Sequence, residues 1–209
     1  DAEASAALVL GLSLADTTDA KRLEAGALQA KLCTEQHSNV AVCHLAAAQN
    51  LGVQMLNMGM VKAMRSVGSL KDLWIRTLEL EPTSFTARVQ LAKLYVTVPG
   101  MMGGSTAKAK DLEAAVRGSQ PETARIIRVH IAGEARKWAE MEAELLALKP
   151  TRDAAMLDEV RDATMQLALV FFKDARDLAK AKSLYESLQR DQPGRAAGFY
   201  GGARVQAAL

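Results

Sequence analysis

The sequence predicts an all-α protein built of stacked helix hairpins, and three observations carry that prediction. Ala and Leu abound, and Met reaches 9 residues while aromatic residues make up only 4% of the chain, a balance that favours helices over packed sheets. Apolar residues recur at three-and-four spacing along most of the chain, the period of an amphipathic helix. Prolines that forbid further helix recur at Pro82, Pro121, Pro150 and Pro193, in the contexts LELEP, RGSQP, LALKP and QRDQP. With 209 residues, 49% of them hydrophobic, the chain can bury a substantial core as one elongated domain or two small ones. The organisation read from it is a single helical domain over 1–209. An N-terminal hairpin spans 1–37, further hairpins span 38–82, 83–121, 122–150 and 151–193, and a capping helix covers 194–209.

The elements follow in order. An Ala/Leu helix is expected over 3–14, and Asp16-Thr-Thr-Asp19 supplies turn and N-cap chemistry for a second helix over 20–32. Cys33 and Cys43 flank the polar link Thr34-Glu-Gln-His-Ser-Asn39. An even count around a turn suits one disulfide in an oxidising compartment, and a pair of buried free thiols is the other reading. Ser38-Asn39 is expected to cap a long third helix over 40–67, which Gly68-Ser69 ends before an amphipathic partner over 70–80. In the stretch 83–121, Leu91, Ala92 and Tyr95 lie on one helix and Ala107, Leu112, Ala115 and Val116 on the next, joined by a glycine-rich corner. Gly133-Glu134 is the turn of a short hairpin, 155–173 is another overlong helix, and 176–190 its partner.

Counted forward from Pro82, Leu91, Ala92 and Tyr95 take the Leu, small and Tyr positions of a tetratricopeptide repeat, and Ala181, Tyr185 and Leu188 have the steps of a repeat's second helix ahead of Pro193. The proline intervals are unequal, against a regular period of about 34 residues, so the expected architecture is an irregular tetratricopeptide-repeat-like α-solenoid. The run LYVTVPGMMGGSTAKA, preceded by ELEP and by a helix after a Cys-containing corner, resembles the bacterial periplasmic envelope proteins of tetratricopeptide-repeat type. The most specific piece is Pro99-Gly100-Met101-Met102-Gly103-Gly104, and the likeness extends from about Cys33 onward. The chain departs from that family in having Val98 where alanine is usual, and in its short third hairpin. The resemblance implies an exported, non-catalytic binding module. The chain opens Asp1-Ala-Glu-Ala without an initiator Met; removal of a signal peptide is the expected reason, and truncation the other reading.

Composition excludes several classes of partner. With 26 basic and 24 acidic residues, net charge gives no global attraction to nucleic acid or to an anionic membrane. No apolar run reaches the length of a membrane span. The glycines of residues 100–104 precede a helix as a phosphate loop does, but Gly104 is followed by Ser105-Thr106-Ala107 and the required GK[ST] is absent. They are read as a corner, with Ser105 or Thr106 as N-cap. Cys33, His37, Cys43 and His44 carry metal-ligand chemistry, yet Cys43 and His44 are adjacent on a helix and point about 100° apart. A disulfide with two surface histidines explains them better, and neither a zinc site nor a Cys–His dyad is expected. His130 stands alone. Arg125, Arg128, Arg136 and Lys137, with Glu122 and Glu134 nearby, read as a solvated face.

One feature exceeds what a core requires. Residues 51–61, LGVQMLNMGMV, are apolar around most of a helix circumference, and so are residues 167–172, LALVFF. The two overlong helices could cover one another as a sealed core. Alternatively Met55, Leu56, Met58, Met60 and Met64, with Leu167, Val170 and Phe171, could line a pocket, for which unbranched, polarizable Met is well suited. The function expected on that second reading is a non-catalytic envelope protein holding an apolar ligand of the lipid or sterol class, for lipid transport. The alternative is a scaffold that binds a protein or peptide partner in the periplasm. No cofactor, metal or nucleic acid is expected, and membrane association only through partners.

Overall fold

The structure, a computed structural model, describes residues 1–174 and 176–209. Among the described residues it is all-helical, with eleven α-helices and no strand. The chain forms two compact units, Asp1–Ser105 and Thr106–Leu209, so the boundary falls inside the stretch 83–121.

The first unit holds α1 (Ala2–Leu14), α2 (Ala20–Gln36), α3 (Ala41–Asn57), α4 (Met60–Leu80), α5 (Phe85–Thr97) and a 3-10 turn over Gly100–Met102. Asp1 caps α1 by accepting from the Glu3 amide, and Asp19 caps α2 by accepting from Lys21 and Arg22, satisfying amides that the helix leaves unpaired. Helices α1, α2 and α3 pack on one another, and α3, α4 and α5 follow in sequence. Cys33 and Cys43 are joined in a disulfide, with Cα atoms 5.4 Å apart. It is buried among Ala6, Val9, Ala30, Ala46 and Ala47, so it ties α2 to α3 beneath α1. A polar node completes this packing: Asn50 donates to Ser13 Oγ at 2.7 Å and to the Leu23 carbonyl at 3.3 Å, and accepts from Gln54.

Several expectations are corrected here. The chain has no continuous helix over 40–67. Helix α3 ends at Asn57, whose side-chain amide donates to the Val53 and Thr17 carbonyls, and Met58 and Gly59 are extended. Helix α4 then runs straight through Gly68 and Ser69, because both lie on its exposed side while Val67, Leu70, Trp74 and Thr77 form one buried stripe. A solvent-facing helical Gly costs only about 1 kcal/mol, less than such a stripe contributes. Nor do the side chains of Ser38 and Asn39 cap α3, which starts after Val40 with no side-chain cap. The Ser38 carbonyl accepts from His44 Nε2 at 2.9 Å, and Asn39 Oδ1 accepts from Arg76 at 2.8 Å. His44 is buried, not a surface histidine.

The corner closes on itself. Met102 and Gly104 donate to the Pro99 carbonyl, Gly103 donates to Gly100, and Ser105 donates to the Tyr95 carbonyl. Gly103 has φ +90°, and a Cβ at Gly104 would stand 1.8 Å from the Val98 oxygen. Gly103 takes the left-handed region that glycine enters without strain, and at Gly104 only glycine fits.

The second unit holds α6 (Thr106–Ala114), α7 (Pro121–Glu134), α8 (Trp138–Leu146), α9 (Ala154–Lys173), α10 (Leu178–Asp191) and α11 (Ala196–Gln206). Pro121 sits in the first turn of α7, where its missing N–H costs nothing. Gly133 and Glu134 end that helix instead of forming the turn: Lys137 donates back to the Ala132 carbonyl and Arg136 to Gly133, with Arg136 at φ +56°. Helix α6 stops at Ala114, so Ala115 and Val116 lie in the following turn. Asp153 and Asp177 cap α9 and α10. Val129, Met141, Leu167, Phe171, Leu184, Tyr185, Leu188 and Val205 share one core, and α11 presses onto Tyr185 so closely that a Cβ at Gly201 would stand 2.0 Å from the ring.

Candidate functional site

The apolar candidates separate into two kinds of place. In the first unit, Leu56 is 83% exposed, Met60 78% and Met64 45%, with Val61 exposed beside Met60; Met55 and Met58 are half-buried. Their position follows from the break after Asn57, which turns the end of α3 and the start of α4 outward. Met60 and Met64 are one turn apart on one face of α4. In the second unit, Leu167 is fully buried and Phe171 only 7% exposed, packed in the core of α7 to α11, while Val170 is half-buried. These residues fill an interior. No helix of the described residues is long and apolar enough to cross a membrane.

The metal-ligand candidates do not assemble. Both sulfurs of Cys33 and Cys43 are taken up by the disulfide, and His44 is engaged with the Ser38 carbonyl. His130 is not alone: its Nε2 lies 2.9 Å from Glu159 Oε2 of α9, with both side chains about nine-tenths buried.

The second unit carries an arrangement that the sequence reading missed. Arg125 and Arg128, expected on a solvated face, turn into an ion-pair network linking α6, α7 and α8. Arg128 donates through Nε to Glu144 Oε1 at 2.8 Å and through Nη2 to Glu144 Oε2 at 3.2 Å, while its Nη1 donates to Glu113. Arg125 donates to Glu144 at 2.8 Å, and Arg117 donates to both oxygens of Glu113, at 3.1 and 2.5 Å. The Glu113 side chain is only 4% exposed, and such burial without partners would be prohibitive for a charge. Glu113 is held below its ordinary carboxyl value, first by the hydrogen bond from Arg117 and also by Arg128. At Glu144 burial pushes upward, but hydrogen bonds and charge from Arg128 and Arg125 outweigh it and the value falls. Both groups are therefore carboxylates at neutral pH.

Around this network runs a groove of about 640 Å³. One wall is Thr106, Lys110 and Glu113, at the steps of a single face of α6, with Arg117 of the turn that follows. Arg128, Ile131, Ala132 and Ala135 of α7 and the adjoining turn form the floor, and Lys137, Glu140, Ala143 and Glu144 the opposite wall. Part of this was readable in the chain: Glu113 stands four residues ahead of Arg117, the favourable order for a helix pair. The link to Glu144 was not, since it depends on the angle at which α8 returns.

No protein-family model, no curated protein and no solved structure matches the chain.

Proposed function

We propose that the chain is a non-catalytic envelope protein of irregular tetratricopeptide-repeat-like build that binds a protein partner through the outward-facing apolar joint between α3 and α4. The observation that carries this reading is the exposure of Leu56, Met60 and Met64 on a joint whose other side is fixed by buried packing. Apolar side chains grouped on a surface favour association, and Met adapts its shape to what it meets. The solenoid-like build is supported by packing in which each helix contacts helices one or two places away in its own unit, as in stacked repeats. Export is supported by the disulfide, a bond that persists in oxidising compartments. A non-catalytic role is supported by carboxylates held ionised by arginine, and so poorly matched to proton transfer near neutral pH.

The test is a photo-cross-linking side chain placed at Met60, with one at exposed Lys31 as control, in cells that export the protein. A discrete protein adduct at Met60, lost when Leu56→Asp is added, is expected. Saturable binding of a fluorescent sterol or fatty acid to the purified protein, with no protein adduct, would overturn the reading in favour of a lipid carrier.

A further inference from the structure

We infer that the groove over α6, α7 and α8 is a binding site for an acidic peptide segment in extended conformation, independent of the α3–α4 joint. Its length is the first reason. Thr106 to Arg117 spans on the order of 16 Å of helix axis and its following turn, which an extended chain covers in about five residues. The groove floor includes the small side chains of Ala132 and Ala135, which leave room for backbone to approach.

Charge is the second reason. The carboxylates in the groove are already engaged: Glu113 by Arg117 and Arg128, Glu144 by Arg125 and Arg128, and Glu140 by Lys137 at 2.8 Å. The cations are not all used. Among the described residues Lys110 forms no ion pair, and Arg117 bonds Glu113 through Nε and Nη2 with its side chain 66% exposed. Lys110 stands on α6 and Arg117 three residues past its end, and both side chains line the groove. Alternate side chains of an extended strand lie about 6.6 Å apart and every fourth about 13 Å, so flexible Lys and Arg side chains can reach two acidic groups of one strand. A basic or neutral segment gains nothing from these cations, and an acidic one meets no free carboxylate. The network beneath them fixes Arg117 in place and lowers the entropy lost on binding.

The experiment uses the whole chain and a fluorescent, end-capped peptide of alternating glutamate and alanine, read by anisotropy at low salt, against the same peptide with glutamine for glutamate. The glutamate peptide is expected to bind at least about tenfold more tightly, and Lys110→Glu to weaken it by about tenfold or more, with the preference shrinking as salt rises. Lys110 is exposed and, among the described residues, forms no ion pair, so the variant keeps its fold, which thermal unfolding checks; Lys110→Met is expected to give an intermediate loss. Equal binding of the two peptides, indifference to Lys110→Glu, or displacement of the peptide by glutarate or inorganic phosphate at equal concentration would overturn the proposal. None of these outcomes depends on the Met60 cross-link, so the two readings fail separately.

Discussion

Arg128 clasps Glu144 with two donors while its third nitrogen reaches Glu113, so a single guanidinium on α7 holds carboxylates from the helices on both sides. Their ionised form is favoured in the folded chain. A carboxyl whose folded value lies below its unfolded one contributes stability that is present above about pH 4.3 and is lost as pH falls through the lowered folded value. Glu113→Gln removes the charge and keeps the shape. It is expected to cost about 1–3 kcal/mol at neutral pH and to reduce the loss of stability on acidification below pH about 4.3. Urea titrations of both proteins at neutral and acid pH measure this, and an unchanged acid dependence would remove Glu113 from the account.

The surface and interior residues of the apolar set predict opposite responses. Met60→Lys places its charge in solvent, so stability is expected to change by no more than about 0.5 kcal/mol. Leu167→Asp buries a carboxylate in the core shared with Phe171 and Leu184, where Leu167 is fully buried, and a loss of about 4 kcal/mol or more is expected. Thermal unfolding distinguishes these directly. Collapse of Met60→Lys would mean that the α3–α4 joint is covered in the folded protein.

How far the chain could be read without coordinates follows from these same residues. The helical class, the Asp19 cap, the corner at Gly103 and Gly104 and the pairing of Cys33 with Cys43 are local features, fixed by propensity, backbone angle and short spacing. The break at Met58 and Gly59 was not legible, because Gly52, Gly59 and Gly68 are alike as breakers and only packing selects among them: the Val67, Leu70 and Trp74 stripe keeps Gly68 helical, while Asn57 reaches across to Thr17. In a helix unbroken to Val67, the exposed Leu56, Met60 and Met64 read as the wall of a buried helix. The groove was hidden for a related reason. In the sequence Arg125 and Arg128 stand nearest to Glu122 and Glu134, whereas their partners Glu113 and Glu144 come from other helices.

Arg136 and Gly104 occupy turns of opposite character, and their substitution should have opposite signs. Arg136 takes φ +56° at the end of α7, with Lys137 donating back to Ala132, the position where helices ordinarily place glycine. A side chain there costs about 1 kcal/mol, so Arg136→Gly is expected to stabilise by about 0.5–1 kcal/mol, the greater chain freedom of glycine in the unfolded state taking back part of the gain. Gly104 allows no such exchange. A Cβ there would stand 1.8 Å from the Val98 oxygen, backbone that cannot rotate aside, so even Gly104→Ala must open the corner that Ser105 closes onto Tyr95 and is expected to cost about 2 kcal/mol or more. Denaturant midpoints of the two variants against the parent measure both effects. A destabilised Arg136→Gly would show that the arginine side chain contributes more in the native turn than its backbone strain removes, and a neutral Gly104→Ala would show that the corner is not closed as described.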